Sequence, residues 1–587
     1  MFEKLSSEQK KVVNCLEPRI IVKACPGSGK TFSVTARLAK LIENNKLNRH
    51  QGIAAISFTN GACDEIQKGI KKFRVNSISY PNFIGTIDNF INTYIFLPYG
   101  HLFMRCKKRP EIVGTEYNKW FNYDSTKINY RSRKILDPNY YFDKVSFNID
   151  DDPIPILHSS IYHFSWNEIT NSNGELKKVI SDINDIKKYH FRSGKAIQAD
   201  ANYIAYKILK KFPLIANNIV QKFPILIIDE AQDTTAIQMA IIDLLDNANA
   251  KSILLVGDPD QAIFEWNTAD PSLFMEKFNN PNWTHLKLEE NRRSSNNICQ
   301  LINHFFNDTI ISASENDMDY PEKPLLIEHT NETNKIIQIK DCFVSKCKTL
   351  RLKEDDCAVV YRGKIFGEKH FGLTNETETN INKSPWCRNY YYVRDIVQGK
   401  YLIDNGNFKK GFNLIEKGFF KMNENQTYIS NELIRNKINS IGFRKYRKII
   451  FNFINNLPDT NCTLSDWIKK SKQNKLKFYV ENSNSNNNIS NYFYDEKNVS
   501  QNYNKLYKTI HSVKGKSLEA ILVFISDKAK NYNYATLFNS EYNMLPSAAQ
   551  EELRILYVAC TRPKKILWIA VPSKDLEIWK KKLFINL

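Results

Sequence analysis

RIIVKACPGSGKTFSVTARLAKLIEN, residues 19–44, spells a strand, a turn and a helix in immediate succession. Residues 19–24 are short, β-branched and apolar, residues 25–29 form a Gly/Pro turn, and helical spacing begins at Thr31. Within it, ACPGSGKT has the full spacing of a phosphate-binding loop, running from Cys25 and Pro26 through Gly27, Ser28 and Gly29 to Lys30 and Thr31. Glycines at those positions let the backbone curl so that successive N–H groups and the helix start face phosphate oxygens. Lys30 then neutralises the β and γ phosphates, and the Thr31 hydroxyl is a magnesium ligand. The competing reading is a Gly-rich turn capping an ordinary helix. The strand before it, the complete pattern and the helix after it argue against that.

Further strands are expected at 53–60 (IAAISFTN), 223–233 (FPILIIDEAQD) and 251–261 (KSILLVGDPDQ). Unbroken apolar runs that end in polar turns are the mark of parallel strands covered on both faces. The first half is therefore read as α/β with a parallel sheet. A second α/β unit is split, with CAVVYR at 357–362 in one part and strands near ILVFI and ILWIAV, between 508 and 571, in the other. The stretch 90–210 is aromatic and interrupted and reads as an insertion. So does 365–504, which is polar, helical in patches, and contains the loop-like run ENSNSNNNISN at 481–491.

A second catalytic element needs carboxylates at another strand tip. Asp229 follows ILII and can reach the magnesium shell, and Glu230 is placed to polarise a water as general base. Gln232 and Asp233 in DEAQD add polar groups suited to sensing a γ-phosphate, which weakens the alternative of a merely solubilising loop. Lys and Arg outnumber Asp and Glu by 83 to 63, for a net charge of +20. That fits a polyanionic partner, although the Lys-, Asn- and Ile-rich composition of an AT-rich genome produces the same bias. A length of 587 residues exceeds one core and implies several domains. No apolar run is long enough for a membrane span, and the start, MFEKLSSEQKKVV, lacks the pattern of a secretory signal. Eleven cysteines with no C-x-x-C pair speak against zinc or iron–sulfur ligation and fit reduced thiols in a cytoplasm.

At this point the chain resembles the UvrD/Rep-type superfamily 1A helicases over nearly its whole length, with the motifs in order. LSSEQKKVV is similar to the adenine-reading Q motif, with Gln9 as reader. ACPGSGKT, AISFTNGACDEI (55–66), IGTIDNF (84–90), IIDEAQD, VGDPDQAIFEW (256–266), LEENRRSS (288–295), TIHSVKGKSLEAI (509–521) and EELRILYVACTRPKK (551–565) follow. The resemblance implies two RecA-like parallel-sheet lobes with ATP in the cleft between them and mainly helical insertions. Lobe 1A would span 1–90 and 211–290, 1B 91–210, 2A 291–364 and 505–587, and a reduced 2B 365–504. It implies that Arg293 and Arg562 are directed at the γ-phosphate from lobe 2A, and that Gln261 links hydrolysis to the DNA track. Phe58, Phe264 and Trp266 match base-stacking positions, and Thr59, Asn60, Thr86 and His511 match phosphate or base contacts. Taken alone, Phe58 reads as well as a core residue.

Three departures qualify the carry-over. Where relatives such as UvrD and PcrA sandwich adenine between an Arg after the P-loop and a Tyr in the fourth motif, this chain has Phe32 and Arg292. The exchange is reciprocal and keeps a π-face opposite a guanidinium. Where the family motif GLEF supplies a ribose-binding Glu, this chain has Gly515-Lys516-Ser517-Leu518, with Ser517 at that place. Third, the 2B-like insertion is shorter than in full-size UvrD. The tail after Val571 leaves no room for the nuclease domain of the RecB and AddA relatives, so a nuclease would be a partner. The expected activity is ATP- and Mg2+-dependent 3′→5′ translocation on single-stranded DNA, with unwinding of 3′-tailed or forked duplex, by an enzyme that needs no membrane. The alternative is a DNA-end-sensing ATPase subunit of a nuclease-containing anti-phage complex such as the Gabija type. A protein-remodelling ATPase that ignores DNA fits poorly with the track positions.

Overall fold

The structure is a computed structural model. It describes residues 2–44, 47–75, 80–113, 145–155, 175–263, 269–306, 311–313, 320–371, 391–406, 408–424, 431–474, 476, 478–480, 486–493, 506–526 and 532–584. The chain divides into two compact units, Met1–Phe366 with Leu506–Leu587, and Gly367–Lys505.

Among its described residues the first unit contains two large parallel sheets and three two-stranded ones. One has six strands, β1 (Arg19–Ala24), β2 (Ile53–Ser57), β3 (Phe83–Thr86), β4 (Ile225–Ile228), β5 (Ser252–Gly257) and β6 (Thr284–Leu288). Their order is β6-β1-β5-β4-β2-β3, and every pairing is parallel. The apolar runs are unbroken because both faces are covered. Ile20, Val22 and Ala24 share a core with Val12 and Val13 of helix α1 (Ser7–Asn14), with Val34 and Leu38 of helix α2 (Lys30–Glu43) and with Ile66 and Ile70 of helix α3 (Asn60–Ile70). Ile21, Ala54, Ile56, Leu226, Ile228 and Leu255 point the other way, into a second core. Alternate residues of one strand thus feed two cores, as the period of 2 demands. The helix Gln198–Lys211, which the sequence reading assigns to the 91–210 insertion, buries Ile204 and Ile208 in that second core. There the ion pair of Lys187 with Asp200, 2.7 Å long, is fully buried and is closed by the Ser146 hydroxyl at 2.8 Å. A charge pair at that depth needs all its hydrogen bonds met.

The other large sheet has β7 (Leu325–His329), β8 (Cys357–Tyr361), β9 (Tyr507–Thr509), β10 (Leu518–Phe524) and β11 (Pro563–Pro572), in the order β7-β11-β10-β8-β9 and again wholly parallel. Its core joins that of the first sheet, since Cys25 and Ile263 sit in one cluster with Ile521, Val523 and Tyr557.

The second unit is helical among its described residues. Its core gathers Val393, Ile396, Ile415, Tyr446, Ile450 and Trp467. The helices Tyr391–Asp404 and Phe408–Glu424 approach backbone to backbone: a Cβ on Gly399 would lie 2.8 Å from the Gly411 carbonyl, and one on Gly411 2.6 Å from the Gly399 carbonyl. Among the described residues every cysteine is a free thiol, and no helix is long and apolar enough to cross a membrane.

Candidate functional site

The loop between β1 and α2 is built as its glycines require. Gly27 and Gly29 have φ of 74° and 77°, a region that side chains avoid. A Cβ on Gly27 would strike the Asn291 amide and come within 2.8 Å of Arg293 Cβ, and one on Gly29 would lie 2.6 Å from Gln9 Nε2. Gly29 is the N-cap of α2, so the helix opens directly onto the loop. Cys25 and Ser28 are buried, and the Ser28 hydroxyl donates to the Cys25 carbonyl at 2.8 Å. Gln9 is buried over the loop, donating from Nε2 to the Ser28 carbonyl at 2.9 Å and accepting at Oε1 from the Ser6 N–H at 3.1 Å. Those bonds leave one amide hydrogen and one lone pair for a further partner.

Three strand tips converge on Lys30. Its Nζ is buried, lies 3.7 Å from a Glu230 oxygen and 3.9 Å from an Asp258 oxygen, and has no hydrogen-bond partner among the described residues. Burial works against its charge, yet Glu230, Asp258 and Asp229 hold the proton on and raise its pKa. The Thr31 hydroxyl donates to Asp229 at 3.1 Å, placing the two expected magnesium ligands side by side. Burial, and then the Glu230 charge, push Asp229 up. Burial would raise Glu230 too, but Lys30, then Lys514, the Gln232 amide and Arg562, bring it below the usual carboxylate range. Glu230 also has φ of 56°, a strained value for a residue with a side chain. Strain of that kind is held only where the surroundings fix it, and here Gln232 donates to the Glu230 carboxylate at 2.6 Å while accepting from the Asp258 N–H at 3.0 Å.

The second sheet contributes cations. Arg562, immediately before β11, is buried; it donates to Gln261 Oε1 and, at 3.0 Å, to the Val558 carbonyl. Gln261 in turn donates to Asp258. Burial, together with neighbouring Arg293, pulls the Arg562 pKa down to about 9. Arg293 donates to the Thr561 carbonyl at 3.1 Å. Lys514 pairs with the buried Asp233 at 2.7 Å, and Arg554 donates to the Ala262 carbonyl at 2.8 Å. The arginines therefore lie within reach of the same charged cluster as Lys30, Glu230 and Asp258.

Other expected residues are placed less directly. Phe32 packs on Phe73, with centroids 5.4 Å apart, and borders a cavity of about 390 Å3 with Thr31, Glu65 and Lys68. Arg292 takes the Gly27 carbonyl on its backbone N–H at 3.0 Å, but its guanidinium is paired with Glu290 at 3.0 Å. Nothing stacks Phe32 against Arg292 in this arrangement; a base between them would have to draw Arg292 off Glu290. Pro26 is half-way into the loop, and Gly515 and Ser517 are exposed on the turn before Leu518, whose N–H donates to the Arg562 carbonyl at 3.1 Å.

Of the expected track residues, Phe58 is half-buried at the end of β2, followed by exposed Thr59 and Asn60. Strand β2 ends at Ser57, so Asn60 opens α3 and does not close the strand. Thr59 and Thr86 are N-caps, accepting from Ala62 and Asn89 N–H groups at 3.2 Å each. His511 is half-buried on the turn after β9. All of these lie at the carboxyl ends of parallel strands, where open α/β sheets bind ligands. Phe264 and Trp266 lie outside the described residues. The sequence reading missed Asp258, Asn291 and Lys514. Asp258 sits at a strand tip inside GDPDQ exactly as Asp229 does inside DEAQD, a signal that was available. Asn291 accepts from the N–H groups of Arg293 and Ser294 at 2.8 and 2.9 Å, which fixes the arginine's backbone beside the loop.

Comparison with known proteins finds a likeness to helicases. Residues 5–282 match the UvrD/REP helicase N-terminal domain. The chain is 26% identical over 421 residues to the ATP-dependent DNA helicase Rep of Buchnera aphidicola subsp. Schizaphis graminum, covering 67% of this chain and 60% of that protein. It is 26% identical over 383 residues to DNA helicase II of Haemophilus influenzae, covering 62% and 49%. A shorter likeness, 28% over 180 residues, joins it to the exonuclease/helicase subunit RexA of Lactococcus lactis, covering 30% and 15%. The matched part thus spans about half to three fifths of the longer-matching relatives.

Proposed function

The chain is of the UvrD/Rep helicase type, and from that premise we propose that it hydrolyses ATP between its two sheets to move along single-stranded DNA, in the 3′→5′ direction, and to open duplex ahead of it. The observation that carries the reading is the buried Lys30 ammonium. It lacks a hydrogen-bond partner among the described residues and is faced by Glu230 from its own lobe and, through Gln261, by Arg562 from the other. A buried ammonium whose hydrogens find no acceptor is costly even beside carboxylates, and a triphosphate supplies the missing acceptors.

The roles follow from position. Lys30 and the loop N–H groups grip phosphate oxygens. Thr31 and Asp229 would hold magnesium, which supplies charge neutralisation at those oxygens when bound. Glu230, kept ionised by Lys30, accepts the proton of the attacking water, and Gln232 orients its carboxylate. Arg293 and Arg562 stabilise charge on the phosphoryl group as it transfers. The Asp258–Gln261–Arg562 chain links that event to the second lobe. Phe58, Thr59, Asn60, Thr86 and His511 then form the track, where phosphates meet helix starts and bases meet an aromatic face.

The test is ATPase with and without single-stranded DNA, followed by strand displacement on duplexes with 3′ and 5′ tails. Stimulated turnover and displacement on the 3′ tail are expected, and turnover indifferent to DNA ends the proposal. Glu230→Gln should lower hydrolysis by about 10²-fold or more while nucleotide binding persists. A second reading draws on the likeness to the exonuclease/helicase subunit RexA: an ATPase subunit that senses DNA ends beside a nuclease partner, with little unwinding of its own. Stimulated ATPase without displacement on either tail would favour it.

A further inference from the structure

The helix Phe443–Asn455 of the second unit, FRKYRKIIFNFIN, contains no carboxylate. One side buries Tyr446, Ile450, Phe453 and Ile454 in the core of that unit. The other side is unusual. Phe443 and Phe451 are 60% and 52% exposed, and with Arg447 they fall four residues apart on a single stripe. Each step along the stripe rises about 6 Å. The Arg447 guanidinium sits 4.1 Å from the ring centre of Phe412 and 5.4 Å from that of Phe443, and the Phe412 and Phe451 rings are 5.5 Å apart. The result is a ladder of planar groups in the order Phe443, Arg447, Phe412 and Phe451, with the last two rings tilted by 51° to each other. Arg444 and Lys448 occupy the adjoining stripe, exposed. Among the described residues neither of them nor Arg447 forms an ion pair.

We propose that this face is a stacking platform for the unpaired bases of a single-stranded polynucleotide, whose phosphates are met by Arg444 and Lys448. Both halves of the chemistry are needed. Flat π-faces and guanidiniums stack any base, and cations without competing carboxylates track the backbone. A duplex keeps its bases stacked inside and offers only phosphates, which leaves the exposed rings unexplained. An acidic peptide satisfies the cations and likewise has no use for the ladder. The site belongs to the second unit alone and does not depend on the ATPase reading.

The experiment uses the full chain and oligothymidine carrying 5-iodouracil, irradiated without nucleotide and mapped by peptide mass spectrometry. An adduct within 443–455 is expected. Phe443→Ala with Phe451→Ala should reduce its yield about tenfold, whereas Phe443→Tyr with Phe451→Tyr, which keeps both rings, should retain it. Arg444→Gln with Lys448→Gln should flatten the salt dependence of the adduct yield. The proposal is overturned by absence of the adduct in the unaltered protein, by equal yields in the Ala and Tyr pairs, or by equal competition from duplex or polyglutamate. An adduct that forms although DNA fails to stimulate ATPase would sink the proposed function and leave this platform standing.

Discussion

Lys30→Met keeps the length of the side chain and removes its charge, so it isolates what the ammonium does. Glu230 at 3.7 Å and Asp258 at 3.9 Å each attract it by about 4 kcal/mol at an effective dielectric of about 20. Desolvation takes back part of that sum, and removing one partner from a buried charge cluster typically costs about 3–5 kcal/mol. At about 2 °C per kcal/mol for a large unit, the midpoint of thermal unfolding should fall by about 6–10 °C near neutral pH. The pH dependence is the sharper readout. In the unaltered protein Glu230 is held below its ordinary range chiefly by Lys30, so its contribution is present above the unfolded pKa and is lost only as pH falls through the lower folded value. Without the ammonium, Glu230 rises along with Asp229 and Asp258, which burial already raises. The variant's folded state then takes up protons before its unfolded state does, so acid relieves it. Its deficit should therefore be largest at neutral pH and shrink towards about pH 5.

The same melts, repeated with a non-hydrolysable ATP analogue, give the second arm. At a hundredfold excess over Kd the ligand adds about 2.7 kcal/mol to the unaltered protein, and it should add almost nothing to the variant. A deficit that stays constant or grows as pH falls would refute the electrostatic argument. Equal stabilisation of both proteins by the analogue would refute the phosphate-gripping role.

Arg562→Ala should leave the apparent ATP affinity within severalfold and lower turnover by about 10²-fold or more, because its charge matters most as the phosphoryl group leaves; turnover within threefold or so of the unaltered protein would remove it from the mechanism. Phe32→Ala and Arg292→Ala should each raise KM for ATP severalfold, and unchanged values in both would end the adenine-sandwich idea, which also requires Arg292 to leave Glu290. His190 is buried, and burial with nearby Lys187 and Lys195 depresses its pKa to about 3. The neutral ring is the folded form, so stability should fall as pH drops below the unfolded value near 6.5, by about 2 kcal/mol at pH 5. His190→Asn should flatten that part of the pH–stability curve, and an unchanged slope would argue against it.

How much could be read beforehand depended on where each residue faces. Strands β1, β2, β4 and β5 were legible because both their faces are buried, which forces runs such as ILII. The edge strands were not. β6 reads THLKL and buries only Leu288, and β3 is half-exposed along three of its four residues, so neither has an apolar run to announce it. The loop, Asp229 and Glu230 were legible because spacing carries their chemistry, and Arg562 only through the resemblance of the motif around it. The state of Arg292 was not, since its pairing with Glu290 is one of several neighbours a flexible guanidinium can choose. Asn291 escaped because its task is to bind backbone, a role that an amide between two charged residues does not advertise. The tight crossing of Gly399 and Gly411 escaped for another reason: isolated glycines in helical patterns read as weak points, and only the packed helices reveal that their missing side chains are what lets the backbones meet.

The charge balance of the site offers a physical route from chemistry to motion. Three cations of the second lobe are tied to the first, Lys514 to Asp233, Arg562 to Gln261 and Arg554 to the Ala262 carbonyl. Burial raises Asp233 to about 6 even with Lys514 beside it, so that carboxylate is poised near the point of losing its charge. Burial, and then neighbouring Arg293, meanwhile depress Arg562. A cluster so balanced is sensitive to any charge added within it. On the proposed reading, a polyphosphate would add several negative charges at Lys30, draw both arginines inward and relieve their mutual repulsion; loss of the γ-phosphate would restore it. The closing force is then the differential affinity of the two lobe arrangements for that charge, which is the only currency in which a ligand can move a conformational equilibrium. Replacing the arginines by neutral residues should therefore weaken the coupling of nucleotide state to DNA grip even where ATP still binds.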